Sequence, residues 1–478
     1  MPDAKTISAP VIVIGGGISG LACAFRLKQR GIPVLLLEKS DRFGGVVQSI
    51  LENGFLFERG PQSFTITPQL NELIEAVGLS GELLRAAPRL PRYIYAGGKL
   101  VAAPMSPFSL LTTSLLSAST KWRLLTEPFR RTRPPIEDES IAAFVRRKFG
   151  ASLLDNFAAP FVSGVYAGDP EKLSLRNAFP QVHEWEKNYG SILRGAIAKM
   201  RQRPKDPNAK KVRGLCSLER GVGSLFDALG AQLGDSAKLD VTVDVVIRNN
   251  STHKERFEVR CTVDGNLGGE SSGSPRRTES LAASAVICAT DTPAAGAMLA
   301  PSSQQFAKSF QGICYAPVAV VSAGYRREAV GRGLDGFGFL VPRAEGLRVL
   351  GCVWNSTLFP GRAPEGHVLL TSFAGGAMNP EMCTWSEERI ALAVHEDLAR
   401  VLNIKENPLA RHVHICRRAI PQYNLGHGRI LAELKWSCDA TPGLFLAGNY
   451  LEGPAMGACV ERAFRAVDDV EKYLNTGD

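Results

Sequence analysis

Apolar and polar positions along this chain follow two rhythms, short solid apolar runs and longer stretches where apolar residues return every three or four positions. The first run, Val11-Ile12-Val13-Ile14, has the character of a buried strand, and a helical rhythm then extends from Leu21 to Arg30. Between them lies Gly15-Gly16-Gly17-Ile18-Ser19-Gly20. Gly31 stops the helix, residues 34 to 37 read as a second strand, and Glu38 closes it 18 residues after Gly20. Further on, Leu239 to Arg248 alternates as a strand, Phe257 to Val263 suits a partner, and Ala285 to Thr290 is a short buried strand. Residues 265 to 280 between them are rich in Gly and Ser and read as a loop. Near the end, Gly443 to Asn449 is a strand and turn, and Gly453 to Gly457 opens a helix with apolar Val460, Phe464, Val467 and Val470.

One stretch imitates a membrane span. Leu100 to Thr120 holds 21 residues without a charge, but Pro104 and Pro107 break its start and eight of its residues are Ser or Thr. From Phe108 the apolar residues at 108, 111, 115, 118, 122 and 125 predict one amphipathic helix. Its stripe either packs within the domain or rests on a bilayer, where Trp122 beside Lys121 and Arg123 would assist.

With 478 residues, 45% apolar and 22% charged, the chain is an ordinary globular protein of about three domains, which excludes disordered and small disulfide-stapled classes. The net charge of +9 is local. Seven basic residues (Lys199, Arg201, Arg203, Lys205, Lys210, Lys211, Arg213) against Asp206 put +6 into one run and leave +3 elsewhere. That run is a solvated loop or a contact for an anionic membrane, and without interleaved aromatics it does not suit nucleic acid. The ten cysteines show no Cys-x-x-Cys pair and no metal spacing, as expected for thiols in a reducing compartment without a bound metal. The N-terminus lacks a basic start and apolar core, so cytoplasmic placement is expected.

Strand, Gly-x-Gly-x-x-Gly turn, helix and acid in register point to a dinucleotide site. Gly15 and Gly17 let backbone N–H groups approach a pyrophosphate at the positive helix end, Gly20 lets helix and strand pack closely, and Glu38 accepts from ribose hydroxyls. The string that follows, Glu38-Lys39-Ser-Asp-Arg42-Phe-Gly44-Gly45, resembles the second fingerprint of FAD-binding oxidases of the amine oxidase type, so the expected cofactor is FAD. The helix opened by Pro454, Ala455 and Met456, after Gly448 and Asn449, could face the flavin, its dipole favouring negative charge by about 0.3–1 kcal/mol.

The middle strings are more specific. Arg92-Tyr-Ile, Pro160 to Pro170 with Gly164 inside it, Gly190 to Ile197, Gly336 to Pro342, Phe359-Pro-Gly-Arg-Ala-Pro364 and Ala419 to Tyr423 with Gly426-His427 together resemble the protoporphyrinogen oxidase family, with its close relative the bacterial coproporphyrinogen oxidases. The resemblance covers nearly the whole chain. It implies an α/β fold: a discontinuous Rossmann-like FAD-binding domain, an α+β substrate-binding domain and an inserted helical membrane-associating domain. The implied pieces are 1–86, 206–300 and 424–478 for FAD, 87–97 and 301–423 for substrate, and 98–205 for the insertion. It also implies Arg92 as holder of a substrate propionate, Leu340 and Val353 as a pair around one pyrrole, Phe373 stacked on another, and Gly164 with its carbonyl near the macrocycle. On the cofactor side it adds Gly60, Pro61, Gln62 and Ser63 against the flavin, Val245 at the adenine, and Ala289.

The implied reaction is oxidation of a porphyrinogen to the porphyrin in three two-electron rounds with O2 as acceptor, with peripheral placement on the cytoplasmic membrane face and room for a homodimer. Coproporphyrinogen is the alternative substrate, and a non-catalytic flavin-binding scaffold the alternative of another class. Cys416 departs from the family, where several relatives carry Trp. His427 alone after a glycine reads as structural, and His412 with His414 lacks a third metal ligand.

Overall fold

The structure, a computed structural model, describes residues 9–202, 214–249, 256–263 and 276–476. Most of the basic run and of the 265–280 stretch therefore lies outside the described residues. A five-stranded parallel sheet orders its strands Ala237–Lys238, Val34–Leu37, Val11–Ile14, Ala285–Cys288 and Leu444–Leu446. Such strands are covered on both faces and so carry solid apolar runs. Val11, Val13, Leu36 and Ile287 pack to one side with the helices Ile18–Gln29, Ser224–Leu233 and Met456–Thr476. Ile12, Ile14, Val286 and Cys288 pack to the other, with the antiparallel strands Val241–Arg248, Phe257–Val263 and Arg277–Ala283.

The last of these strands was not expected, since residues 277–280 fall in the stretch read as a loop. Its register sets Ser280 against Arg260 and Leu281 against Val259, and it carries too few apolar residues to announce itself. The strand expected from Leu239 starts only at Val241, because Asp240 turns the chain with φ +56°.

A second sheet of seven strands runs in the order Ala410–Pro421, Tyr315–Arg326, His367–Gly375, Val349–Trp354, Gly338–Leu340, Arg92–Ala96 and Lys99–Ala102. It continues to Ala102 rather than stopping at residue 97. It also begins later than residue 301, because the helix Gln304–Gln311 buries Phe306 and Phe310 in the core beside the parallel sheet. One face of this sheet (Tyr95, Phe339, Cys352, Val321) is closed by the helix Glu387–Leu402, whose Ile390, Val394 and Leu398 fill the interface. On the other face Leu369 packs with Phe55 and Phe57.

Between residues 107 and 202 the chain is helical, and here the expected single helix from Phe108 to Leu125 is corrected to two. Pro107–Thr112 ends where Thr113 goes extended, and Ala118–Thr126 restarts on a Ser117 cap that accepts from the Thr120 N–H at 3.3 Å. Ser and Thr side chains compete for backbone groups and favour caps over helix interiors, so a segment this rich in them breaks. Leu115 and Leu116 are buried at the break, whereas Phe108 (76%) and Trp122 (68%) stay exposed. A buried charge cluster holds this part together: Lys148 Nζ donates to Glu186 Oε1 at 3.2 Å and to Thr132 Oγ1 at 2.7 Å, while Arg147 bridges Glu186 and Glu139. Among the described residues no helix is long and apolar enough to cross a membrane.

Candidate functional site

The glycines after Val11–Ile14 divide by what surrounds them. Gly15 turns the chain with φ +105°, and a Cβ there would lie 2.9 Å from the Ala289 carbonyl oxygen. A Cβ on Gly20 would sit 1.8 Å from the Gly15 carbonyl oxygen, so helix and strand meet with no room for a side chain. Gly16 is enclosed by Phe43 and Glu38. Gly17 differs: a Cβ on it meets nothing within 4 Å, and its φ of −73° is ordinary. The helix it caps has no side-chain cap and no acidic residue in its first turn, so no side chain of its own satisfies the first N–H groups beside the space in front of Gly17. That is an anion cradle.

Glu38 is buried beside it. Its Oε2 accepts from the Gly16 N–H at 2.5 Å and its Oε1 from the Ser40 N–H and hydroxyl at 2.9 and 2.6 Å, which leaves lone pairs for a ribose. Val241 donates its N–H to the Glu38 carbonyl at 2.9 Å, bringing half-buried Val245, at a bulge, to the same end of the sheet. Lys39 is exposed. Arg42 does not point outward: its guanidinium donates to the carbonyls of Phe43, Gly45 and Val47 and so pins the Gly44-Gly45 turn.

The stretch from Gly60 to Ser63 lies against that turn, a Gly60 Cβ falling 2.6 Å from the Val46 carbonyl. Pro61 and Ser63 are half-buried, while Gln62 faces inward, donating to the Glu58 and Gly60 carbonyls and accepting from Asn355 Nδ2 at 2.7 Å. From the far end of the chain, Gly448 and Asn449 follow the last parallel strand, the Asn449 carbonyl accepting from the Tyr423 hydroxyl. After Pro454 and Ala455, Met456 opens the last helix, fixed where Gly457 meets Thr67 with no space for a Cβ. Gly17, Glu38, Gly60 and the Met456 helix come from three separate stretches of chain around one edge of the parallel sheet.

The open face of the seven-stranded sheet holds the expected substrate residues. Leu340, Gly351, Phe373, Val320 and His414 stand opposite one another across five strands, and Arg92, Gly338, Val353 and Thr371 form the neighbouring row. Partners directly opposite share a face, so Arg92, Leu340, Val353 and Phe373 project to one side. The Arg92 guanidinium lies over the Phe337 ring at 5.1 Å. Gly164 lies across from this face in the helix Ala159–Tyr166, where a Cβ would come 2.5 Å from Leu340 Cδ2. Ala167 ends that helix in the left-handed region at φ +47°, packs with Val320 and Phe373, and accepts from the Ala377 N–H at 2.7 Å. A left-handed non-glycine held this firmly is what a shaped site needs.

The family model for flavin-containing amine oxidoreductases matches residues 18–471. Protoporphyrinogen oxidase 1 of Arabidopsis thaliana chloroplasts is 35% identical over 98% of this chain and 89% of that protein. The chain belongs to the protoporphyrinogen oxidase family. The coproporphyrinogen III oxidase of Bacillus subtilis is 28% identical over 97% of this chain and 98% of its own length. In fold, a crystal structure assigned as a protoporphyrinogen oxidase from Exiguobacterium superimposes with a TM-score of 0.79 over 98% of this chain and 99% of that one, at 24% identity.

This oxidase is an FAD-dependent enzyme with a mixed α/β fold of the flavin amine oxidase kind, and the open Gly17 cradle and the free lone pairs of Glu38 fit that cofactor. Two buried charges beside the site were not assigned from sequence. Arg362, 1% exposed, donates to Ser217 Oγ and to the carbonyls of Leu218 and Glu219, clamping the Phe359–Pro364 string to the flavin half. Glu58, 1% exposed, accepts from Ser49 Oγ and the Val222 N–H, and burial pushes it up to about 7 against the pull of Arg362. The signal was available in part, as a lone arginine in an otherwise apolar, Pro/Gly-rich string. Arg59 donates to His412 Nε2 at 3.0 Å, giving His412 a partner other than a metal. His427 is stacked on Tyr423 at 4.5 Å and bonded to the Tyr450 carbonyl, and burial lowers its pKa, as suits a structural imidazole.

Proposed function

We propose that the chain oxidises protoporphyrinogen IX to protoporphyrin IX in repeated two-electron rounds, with O2 as final acceptor. Bound FAD supplies the hydride-accepting chemistry. The observation that carries the reading is the gathering of Arg92, Leu340, Val353 and Phe373 on the sheet face opposite Gly164. Arg92 offers a planar fork that suits a carboxylate. Leu340, Val353 and Phe373 give a flat apolar floor that excludes water and fixes the plane of a macrocycle. Gly164, with Leu340 pressed against it, closes the helix onto the sheet at one end of that floor. No acid or base is required on these walls beyond water, because loss of a hydride from a methylene bridge makes the remaining protons acidic, and orientation carries the catalysis. Anaerobic mixing with protoporphyrinogen IX and with coproporphyrinogen III tests it: flavin bleaching by the first and not the second supports the reading, the reverse makes this a coproporphyrinogen oxidase, and bleaching by neither makes it a scaffold.

We also propose that the helical part between residues 107 and 202 rests on an anionic membrane on the cytoplasmic side. Exposed Met105, Phe108, Trp122, Leu125 and Phe129 stand near Arg123, Arg130 and Arg131 and support an interfacial contact. Flotation with anionic vesicles at low salt, reversed by added salt, is the expected result, and flotation that persists at high salt counts against it.

A further inference from the structure

Above the sheet face lies a second wall. The helix Ala159–Tyr166 buries Pro160, Val162 and Tyr166 but leaves Phe161 39% exposed, one side of its ring against Phe179 at 6.0 Å, and Val165 43% exposed, with Gly164 beside them meeting Leu340. Phe157 continues the stripe one turn earlier, half-buried, so apolar side chains recur at 157, 161 and 165. That earlier turn is π-helical, Leu154–Ala158, a rare conformation that clusters at functional sites, and it touches the strand Arg92–Ala96. The following helix touches the strands that carry Leu340 and Val353.

We propose that Phe161 and Val165 are specificity-determining residues that line the slot opposite the sheet and select a porphyrinogen with an apolar edge. The inference rests on the reading of this site as a porphyrinogen slot. Arg92, the first residue of its strand, with its guanidinium over Phe337, supplies an exposed cation at the start of that strand for propionates. A macrocycle anchored there turns its other edge toward Phe161 and Val165, which can cover vinyl groups but give a carboxylate no partner. Desolvating an unpaired carboxylate is costly, so a tetrapropionate substrate is rejected at this edge while a divinyl substrate is accepted. Insertion of a cation should reverse that preference.

The experiment compares Phe161→Arg and Val165→Arg holoenzymes with wild type, and Phe161→Leu as a conservative control. It measures kcat/KM for protoporphyrinogen IX and coproporphyrinogen III, and Kd for the product porphyrins by fluorescence quenching, which does not depend on turnover. Both positions are exposed enough to accept arginine in a folded protein, and either variant suffices. The expected result is a fall of about tenfold or more in the protoporphyrinogen-to-coproporphyrinogen ratio, with a parallel shift in the two Kd values and little change in Phe161→Leu. An unchanged ratio in folded, flavin-replete arginine variants overturns the inference, including the case where those variants only lose vesicle binding. A wild-type enzyme that oxidises neither porphyrinogen removes the slot reading itself, and the inference with it.

Discussion

Gly17 and Gly20 sit three residues apart in one turn, yet the structure assigns them opposite consequences. Alanine at Gly17 meets no protein atom within 4 Å and adopts the native φ of −73° without strain, so the fold should lose no more than about 1 kcal/mol, the difference between glycine and alanine at a helix N-cap. The methyl group would instead fill the cradle in front of the open N–H groups of the helix. Each charge-assisted hydrogen bond from such a group to a phosphate contributes about 1.5–3 kcal/mol. Displacing two therefore costs about 3–6 kcal/mol, or roughly two to four decades in FAD affinity. Alanine at Gly20 would lie 1.8 Å from the Gly15 carbonyl oxygen, and since both atoms belong to backbone the strand or helix must move. Overpacking of that kind costs about 1–3 kcal/mol or more. Thermal unfolding of the two apoproteins, with FAD titration followed by flavin fluorescence, separates the effects. Gly17→Ala should unfold like wild type and bind FAD weakly; Gly20→Ala should unfold earlier even without cofactor. Wild-type FAD affinity in Gly17→Ala would refute the placement of the pyrophosphate.

Three further outcomes are expected. Arg92→Ala should raise KM for the porphyrinogen about 10- to 100-fold through loss of a charged contact with FAD content unchanged, and Arg92→Lys should fall between; steady-state kinetics with parallel flavin assay checks both. Arg362→Met removes three donors from buried acceptors and strips Glu58 of its buried cation, so it should destabilise by about 3–5 kcal/mol, read as a lower urea midpoint of the holoenzyme. Burial alone would raise the Glu186 pKa, but bonds from Arg147 and Thr132 and the charge of Lys148 outweigh it and hold the carboxylate at about 2 instead of 4.5. The sign follows from the depressed value: the contribution, on the order of 3 kcal/mol, is present above about pH 4.5 and lost as pH falls through 2. Urea midpoints of Glu186→Gln and wild type should accordingly converge on acidification.

The flavin half was legible because its signals are local. A parallel strand buried on both faces writes itself as four apolar residues in a row, and the turn after Val11–Ile14 needs glycine for reasons confined to some thirty residues. The Phe108–Leu125 stripe misled for the converse reason: a count of apolar spacing ignores Ser117, whose side chain caps the second helix, and Thr113, whose extended backbone ends the first. The slot lies beyond either kind of reading. Leu340, Val353 and Phe373 look in sequence like any strand interior, and only the resemblance to a family singled them out. Nothing local distinguishes Leu340, which faces the slot, from Phe339, which is buried against the helix behind the sheet.

Register makes that distinction, and register is a long-range property. Arg92 reaches Val353 only because a short strand, Gly338–Leu340, lies between them, parallel to one neighbour and antiparallel to the other. A one-residue slip of that strand would turn Leu340 away from Gly164 and present Phe339 in its place. Gly338 resists the slip: its φ of +138° and the approach of a Cβ to within 2.0 Å of the Cys352 carbonyl oxygen admit no side chain. The glycine in the Gly336 to Pro342 string thus contributes to the substrate site without lining it, by holding the register that puts Leu340 against Gly164. Gly338→Ala should therefore impair porphyrin binding while leaving the Gly17 cradle and its FAD affinity intact, and a titration with each ligand would reveal a loss of both if the strand instead fails to form.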